Sequence, residues 1–187
     1  MSTHLDHTER STFYFVTFTC YRWLSLIDKC SLHDYLPGWI KQINKRGILN
    51  CGYVFMPNHI HLLVFVKKRS KGLNHVMGEA KRFLAYEIVS RLKQKGQTEL
   101  LKVLAKGVQE NERKKGKKHQ VFRLSFDAKQ IEGDDNICSV LKYIHHNPVS
   151  GKWRLAKDFM NYPHSSAEFY DSGTIGRVEV FHYREVL

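Results

Sequence analysis

His59 and His61 stand two apart in the run His59-Ile60-His61. In an extended segment both imidazoles leave from one face, with Cα atoms roughly 6.5–7 Å apart. Both rings can then reach one metal ion, and imidazole is a ligand for Zn, Mn, Fe or Cu. A hydrogen-bonded pair on a half-buried sheet face is the competing reading of the same residues. A second constellation lies in Leu141-Lys142-Tyr143-Ile144-His145-His146-Asn147-Pro148. On a helix, Tyr143 and Asn147 are four apart and share a face. Tyr143 is then either a tyrosine at the edge of the core or a phenol nucleophile. An ordinary phenol, with a pKa of about 10, is ionised to about one part in a thousand at neutral pH. A nucleophilic role therefore calls for a polarised electrophile, a nearby base, or both. Asn147 can offer an amide oxygen to a metal, although Pro148 biases it away from helical geometry. His145 and His146 read as phosphate contacts, a proton relay or ordinary partly exposed histidines.

The elements that must position these residues follow from periodicity. Ser11 to Cys20 (STFYFVTFTC) alternates and is rich in aromatic and β-branched residues, which predicts a strand. Ser31 is expected to cap a helix running to about Lys45, with an irregular first turn at Pro37. Ile48 to Met56 and His59 to Lys67 read as two more strands, with Pro57-Asn58 as a turn or a break. Along the second of these, Ile60, Leu62, Val64 and Val66 point one way, and His59, His61, Leu63 and Phe65 the other. The aliphatic face is expected to lie under helices, and the histidine face to be open or covered by something special. Gly72 to about Gln94 carries an apolar stripe that predicts a helix. Val121 to Ile131 reads as a last strand. Asp134 or Asp135 is expected to cap a helix that stops by Asn147-Pro148. Residues 106–118 read as a mobile basic surface loop, residues 1–10 as a flexible N-terminus and residues 149–187 as a mostly irregular tail. The order strand, helix, strand, strand, helix, strand predicts an α+β, ferredoxin-like (RRM-like) split βαβ fold. Its antiparallel sheet carries helices on one face, plus an extra C-terminal tyrosine-bearing helix, and its first and third strands are central.

Thirty Lys and Arg against eighteen Asp and Glu give a formal charge of +12, which attracts polyanions, nucleic acid first among them. Lys67, Lys68, Arg69 and Lys71 form one basic cluster, and Arg113, Lys114, Lys115, Lys117 and Lys118 a second. Each reads as a set of backbone-phosphate contacts or as a solvated charged face. Glu79, Lys81 and Arg82 on the long predicted helix read as substrate contacts or as surface. The chain of 187 residues suits one compact domain. Four scattered cysteines without a CxxC pair argue against a disulfide scaffold or a cysteine zinc site. No apolar run is long enough for a membrane helix, and the polar first ten residues lack the pattern of a secretory signal. A cytoplasmic location is expected.

Gly52 to Val64 (GYVFMPNHIHLLV) resembles the signature of the HUH single-tyrosine transposases, most closely the REP-associated tyrosine transposase branch. The segment from Tyr143 to Val149 (YIHHNPV) resembles that branch's tyrosine helix. Tyr162-Pro163-His164-Ser165-Ser166 resembles its aromatic-Ser-Ser segment. The chain departs from the family at Ser150 to Trp153, where many relatives carry Arg-Ala-Gly, and its basic insertion before His119 is long. The resemblance implies one catalytic domain over residues 1–187. It implies that His59, His61 and Asn147 bind Mg²⁺ or Mn²⁺. It implies that Tyr143 attacks a phosphodiester of hairpin-bearing single-stranded DNA, giving a 5′-phosphotyrosine and a free 3′-OH. A nucleoid-associated location goes with that activity. Relatives include monomers and dimers with shared active sites, so a homodimer is among the expected states. Two other readings compete with this one. A non-catalytic RRM-like nucleic-acid binder explains the charge and the fold but not the histidines beside Tyr143. A metal hydrolase lets water attack in place of the tyrosine.

Overall fold

The computed structural model describes residues 11–68 and 70–187, so Arg69 and the expected flexible N-terminus, 1–10, lie outside the described residues. The elements run β1 (Thr12–Thr19), α1 (Leu26–Lys29), α2 (Leu36–Asn44), β2 (Ile48–Met56) and β3 (His59–Val66). There follow α3 (Leu73–Gln94), α4 (Thr98–Lys106), α5 (Glu110–Lys114), β4 (Asp127–Ile131), α6 (Asp134–His146) and α7 (Ala167–Ser172). Four strands form one antiparallel sheet in the order β2-β3-β1-β4, which puts β1 and β3 in the centre.

The alternation in β3 divides the molecule. Ile60, Leu62, Val64 and Val66 join Val16 and Phe18 of β1 in a core under α2 and α3. In α3, Leu73, Val76, Met77, Ala80, Leu84, Ile88 and Leu92 are buried at helical spacing, the stripe that a helix lying on a sheet requires. The Trp39 indole N–H donates to the Ala80 carbonyl at 2.8 Å and ties α2 to α3. The opposite face carries a second core. Phe13, Leu63 and Phe65 meet Ile137, Leu141 and Ile144 of α6 and Tyr162 and Tyr183 of the tail. Helical structure therefore covers both faces, and the cover over the histidine face is the tyrosine-bearing helix.

Several boundaries differ from expectation for local reasons. Ser31 sits in the left-handed region (φ 52°) and caps nothing; a 3₁₀ turn, Leu32–Asp34, precedes α2. Pro37 falls in the first turn of α2, where its missing N–H costs no hydrogen bond. The segment 21–30, which carries no strong periodic signal, includes α1. The last strand begins only at Asp127. Before it, Phe122 makes a single bridge to Cys20 and the chain is irregular. At the start of α6, Gly133 (φ 83°) takes the capping position, and Asp134 and Asp135 lie in the first turn, where carboxylates suit the helix dipole. The 106–118 stretch contains α5.

The tail is more ordered than its composition suggests. It holds α7 and closes along the free edge of β2. The Phe55 N–H donates to the His164 carbonyl at 2.9 Å and the Ser166 N–H to the Tyr53 carbonyl at 3.0 Å. Further along β2, the Phe181 N–H donates to the Asn50 carbonyl at 2.9 Å. An edge strand's unpaired groups are thus satisfied within the chain.

Candidate active site

The site lies at the β2–β3 hairpin. Pro57 and Asn58 form its two-residue turn, and neighbouring backbone holds the turn in place. The Cys20 N–H donates to the Asn58 carbonyl at 2.9 Å, and the Ile27 N–H to the Pro57 carbonyl at 3.0 Å. His59 and His61 follow at once, each 5% exposed, with ring centroids 4.6 Å apart. Burial pulls the His59 pKa down to about 4, partly opposed by a hydrogen bond to the Asn147 side chain. Burial pulls His61 down to about 3, with His59 adding to the effect. Both imidazoles are therefore neutral at pH 7, the form that offers a lone pair.

The outer nitrogens are held. The Asn58 amide nitrogen donates to the Trp23 carbonyl at 3.1 Å, which turns its oxygen towards His59 Nδ1 at 2.7 Å. That oxygen can only accept, so His59 Nδ1 carries the proton and Nε2 keeps its lone pair. His61 Nδ1 meets the Thr17 hydroxyl at 2.9 Å. When Nδ1 donates to this hydroxyl, the Nε2 of His61 is likewise free to ligate. Such outer partners orient metal-binding imidazoles.

α6 supplies the rest. Its apolar stripe of Ile137, Leu141 and Ile144 seats it on the sheet, and Tyr143 emerges beside that stripe with 54% exposure. The Tyr143 ring lies 5.4 Å from that of His61, and Phe15 fills the space behind both, 5.1 Å from His61 and 5.8 Å from Tyr143. Asn147 meets His59. A helix rises about 6 Å in four residues and a strand nearly 7 Å in two. The pair at i and i+4 on α6 therefore matches the pair at i and i+2 on β3, and the two run in opposite senses. Pro148 does not turn Asn147 outward. Asn147 stays helical (φ −54°, ψ −43°), because the chain passes directly into a 3₁₀ turn, Asn147–Val149, that needs no N–H from the proline.

Seating α6 this close takes two further features. A Cβ on Gly52 would stand 2.5 Å from Leu141 Cδ2, so any larger residue there would push that side chain, and the helix it seats, out of place. His145 is buried, 7% exposed, and its Nε2 meets the Ser166 hydroxyl at 2.9 Å. Ser166 Oγ in turn accepts from the Tyr53 N–H at 2.9 Å. The Tyr162 hydroxyl donates to the Phe55 carbonyl at 2.7 Å. His145 is thus a fastening between α6, β2 and the tail, not an exposed phosphate contact. His146 Nδ1 donates to the Lys142 carbonyl of its own helix at 2.9 Å, and its ring stacks on Phe159.

The basic clusters fall elsewhere. Lys67 and Lys68 follow the far end of β3, about 25 Å along the strand from His59, and Lys71 is exposed in the same connection. Arg113 donates to the Ala105 and Val108 carbonyls and so caps α4. Lys114 pairs with Glu110, and Lys115 and Lys117 with Glu112. Lys115, Lys117 and Lys118 line a groove beside α3. Glu79 pairs with Arg46, His75 and Arg82 on the surface. Asn58, Thr17 and Ser166 are the site's hidden supports. Asn58 had a signal in its place directly before His59, and Ser166 in the Ser-Ser segment; Thr17 had none beyond its strand.

Among the described residues no three His, Cys, Asp or Glu side chains converge. A metal here would depend on two neutral imidazoles and an amide oxygen, a donor set that fits a divalent ion accepting nitrogen and oxygen together. The arrangement is a nitrogen–oxygen pocket with a solvent-reachable phenol on its rim.

No family model and no curated protein matches the sequence. The fold does have a match. A solved REP-associated tyrosine transposase bound to a REP hairpin superposes with a TM-score of 0.59 at 16% identity, over 97% of this chain and 92% of that one. The chain therefore shares the fold of a DNA-bound transposase over nearly its whole length.

Proposed function

We propose that the protein is a single-strand DNA endonuclease and strand transferase of the HUH single-tyrosine type, built on a ferredoxin-like sheet. One observation carries the reading: Tyr143, exposed on α6, stands beside His61 while Asn147, four residues on, faces His59. His59, His61 and Asn147 would hold Mg²⁺ or Mn²⁺. Such an ion supplies Lewis-acid polarisation of a phosphodiester and offsets the charge that grows on its oxygens. Two nitrogen donors favour Mn²⁺ over Mg²⁺, which prefers oxygen.

The chain's own residues do the rest. Asn58 and Thr17 hold the imidazoles, and burial keeps both neutral. Gly52, Leu141 and the His145–Ser166 bond fix the height of α6, so that the phenol meets the phosphate at one position. Tyr143 Oη attacks phosphorus and loses its proton. The bond from phosphorus to the 3′ oxygen breaks, that oxygen takes up a proton, and the 5′ phosphate remains on the tyrosine. A 3′-OH can reverse the step without ATP, since the phosphodiester energy is kept. The similar fold of a hairpin-bound transposase and the charge of +12 support single-stranded, hairpin-bearing DNA as the substrate.

A denaturing gel tests this. Labelled single-stranded oligonucleotides, including hairpins from the DNA flanking the gene, are incubated with the protein and Mn²⁺. A covalent band is expected in the wild type and none in Tyr143→Phe. Cleavage that survives in Tyr143→Phe but not in His59→Ala would establish the hydrolase. Tight binding with no cleavage under any metal would leave a nucleic-acid binder.

A further inference from the structure

Two adjoining cavities lie beside the site, on the way to α3. The larger, about 1450 Å³, lies between α3 and residues 115–129. The smaller, about 610 Å³, lies between the end of β1 and residues 120–127 and reaches Arg22 and Trp23. They share Thr17, Arg123, Leu124 and Asp127 among their walls, so they form one trough. Thr17 is also the residue that bonds His61, and Trp23 of the smaller cavity stands against His59, so the trough passes next to the site.

Its walls have a definite chemistry. Eight lysines and arginines face two carboxylates in the larger cavity. Large apolar groups stand exposed along the way: Trp23 at 55%, Leu124 at 57% and Tyr86 at 62%. Lys81 ties the outer wall to α3, since its ammonium donates to the Arg123 carbonyl at 2.6 Å and the Leu124 carbonyl at 3.3 Å. At the site end the backbone is strained. Arg22 and Trp23 both sit in the left-handed region, at φ 52° and 58°. Two consecutive non-glycine residues there need compensation from their surroundings. The Asn58 amide provides some of it by donating to the Trp23 carbonyl, and the Trp23 ring stands edge-on to His59 at 5.9 Å. The strained turn thus presents an indole to solvent directly beside the candidate metal ligands.

We infer that this trough, from Trp23 past Arg123 to the α3 face with Tyr86, is the track for the unpaired DNA strand adjoining the scissile phosphate. The inference rests on the tyrosine-endonuclease reading for its direction but not for its binding chemistry. Cations follow the phosphates, and rings accept bases. A paired duplex keeps its bases stacked inside and has no use for exposed rings. Exposed rings set among cations therefore favour an unpaired strand. Arg113 to Lys118 contributes through Lys115, Lys117 and Lys118 only.

The test uses the full-length protein carrying Tyr143→Phe, so that no cleavage intervenes. Binding of an oligothymidylate of about 20 nucleotides, longer than one such track needs, is followed by fluorescence anisotropy over a range of salt. Lys118→Glu with Arg123→Glu is expected to raise Kd at least about tenfold and to flatten the salt slope by roughly 0.7 per lost contact. Trp23→Ala and Tyr86→Ala are each expected to raise Kd at least about fivefold, the effect of about 1 kcal/mol per stacked base. The same ring variants are expected to leave binding of a blunt duplex within about twofold, well below that stacking effect. Lys41→Glu with Lys45→Glu, equal in charge and outside both cavities, serves as the control. Circular dichroism confirms folding of each variant. The track is overturned if the parent fails to bind the oligonucleotide or if the control weakens binding as much as the trough pair. It also fails if the ring variants bind it as the parent does. An adduct at Tyr143 with no trough dependence sinks the track and leaves the tyrosine reading standing. Trough-dependent binding without any adduct does the reverse.

Discussion

The two faces of the sheet are made from the same strands and do different work. Beneath α2 and α3, β3 presents Ile60, Leu62, Val64 and Val66, nearly all fully buried and wholly apolar. Beneath α6, the same strand presents His59 and His61 before it returns to Leu63 and Phe65. On the first face, apolar packing dominates, with the bond from Trp39 to the Ala80 carbonyl as an added tie. On the second, polar groups are buried and each is fastened: His59 to Asn58, His61 to Thr17, His145 to Ser166, Tyr162 to Phe55. Burying a polar group without a partner costs free energy, so these bonds are what make a buried site tolerable. Tyr143 is the exception that matters, a large phenol left 54% exposed amid ordered neighbours.

The sharpest way to break this contrast is at the tyrosines. Tyr143→Phe should abolish the covalent adduct and leave the melting temperature nearly unchanged, because an exposed hydroxyl contributes little. Tyr162→Phe should do the opposite. It loses a buried hydrogen bond worth about 1 kcal/mol and keeps the adduct. Equal effects of the two on melting would refute the division of roles. Next in size, Leu62→Ala on the apolar face should cost about 2–5 kcal/mol in denaturant unfolding. His61→Gln should keep the fold while losing metal-dependent cleavage. A collapse of His61→Gln would make the histidine face a second structural core and nothing more.

Gly52→Ala tests how tightly α6 is seated. Overpacking against Leu141 should cost about 1–3 kcal/mol and lower the rate of adduct formation. Leu141→Ala in the same chain should restore part of the rate, and additive losses would disprove the contact. Asn58→Ala should weaken Mn²⁺ binding by about 10–100-fold, read by calorimetric titration, because the His59 tautomer is no longer held. An unchanged Mn²⁺ affinity would remove Asn58 from the site.

The smallest effect concerns acid. His164 stacks on His33 with centroids 3.6 Å apart, where the tail meets the 3₁₀ turn before α2. Burial lowers the pKa of His33, and burial with His33 lowers His164 to about 4. Both folded values lie below the unfolded value of about 6.5. The folded chain then binds fewer protons, so this contribution is complete above about pH 6.5 and is lost as pH falls towards 4. The loss is at most about 1.4 kcal/mol per pH unit for each ring. Melting curves between pH 7 and 5 should show it, and His164→Gln should reduce it. A melting temperature that rises on acidification would contradict the assignment.

Much of this was legible along the chain. A strand of period two with histidines on one face, and a helix with Tyr143 and Asn147 four apart, are local patterns that backbone geometry converts directly into faces. The order of elements likewise carried the central place of β1 and β3. Other features left no local trace. Thr17 lies 44 residues from His61 and Ser166 lies 21 from His145, and only the packed chain makes them partners. Gly52 resembles any strand glycine until Leu141 is set above it. The trough from Trp23 to Tyr86 draws its walls from β1, the turn after it, α3 and the irregular stretch before β4. Periodicity records which side of an element is apolar, because burial acts on each residue singly. It does not record which distant polar group will stand opposite, because that depends on the relative placement of whole elements.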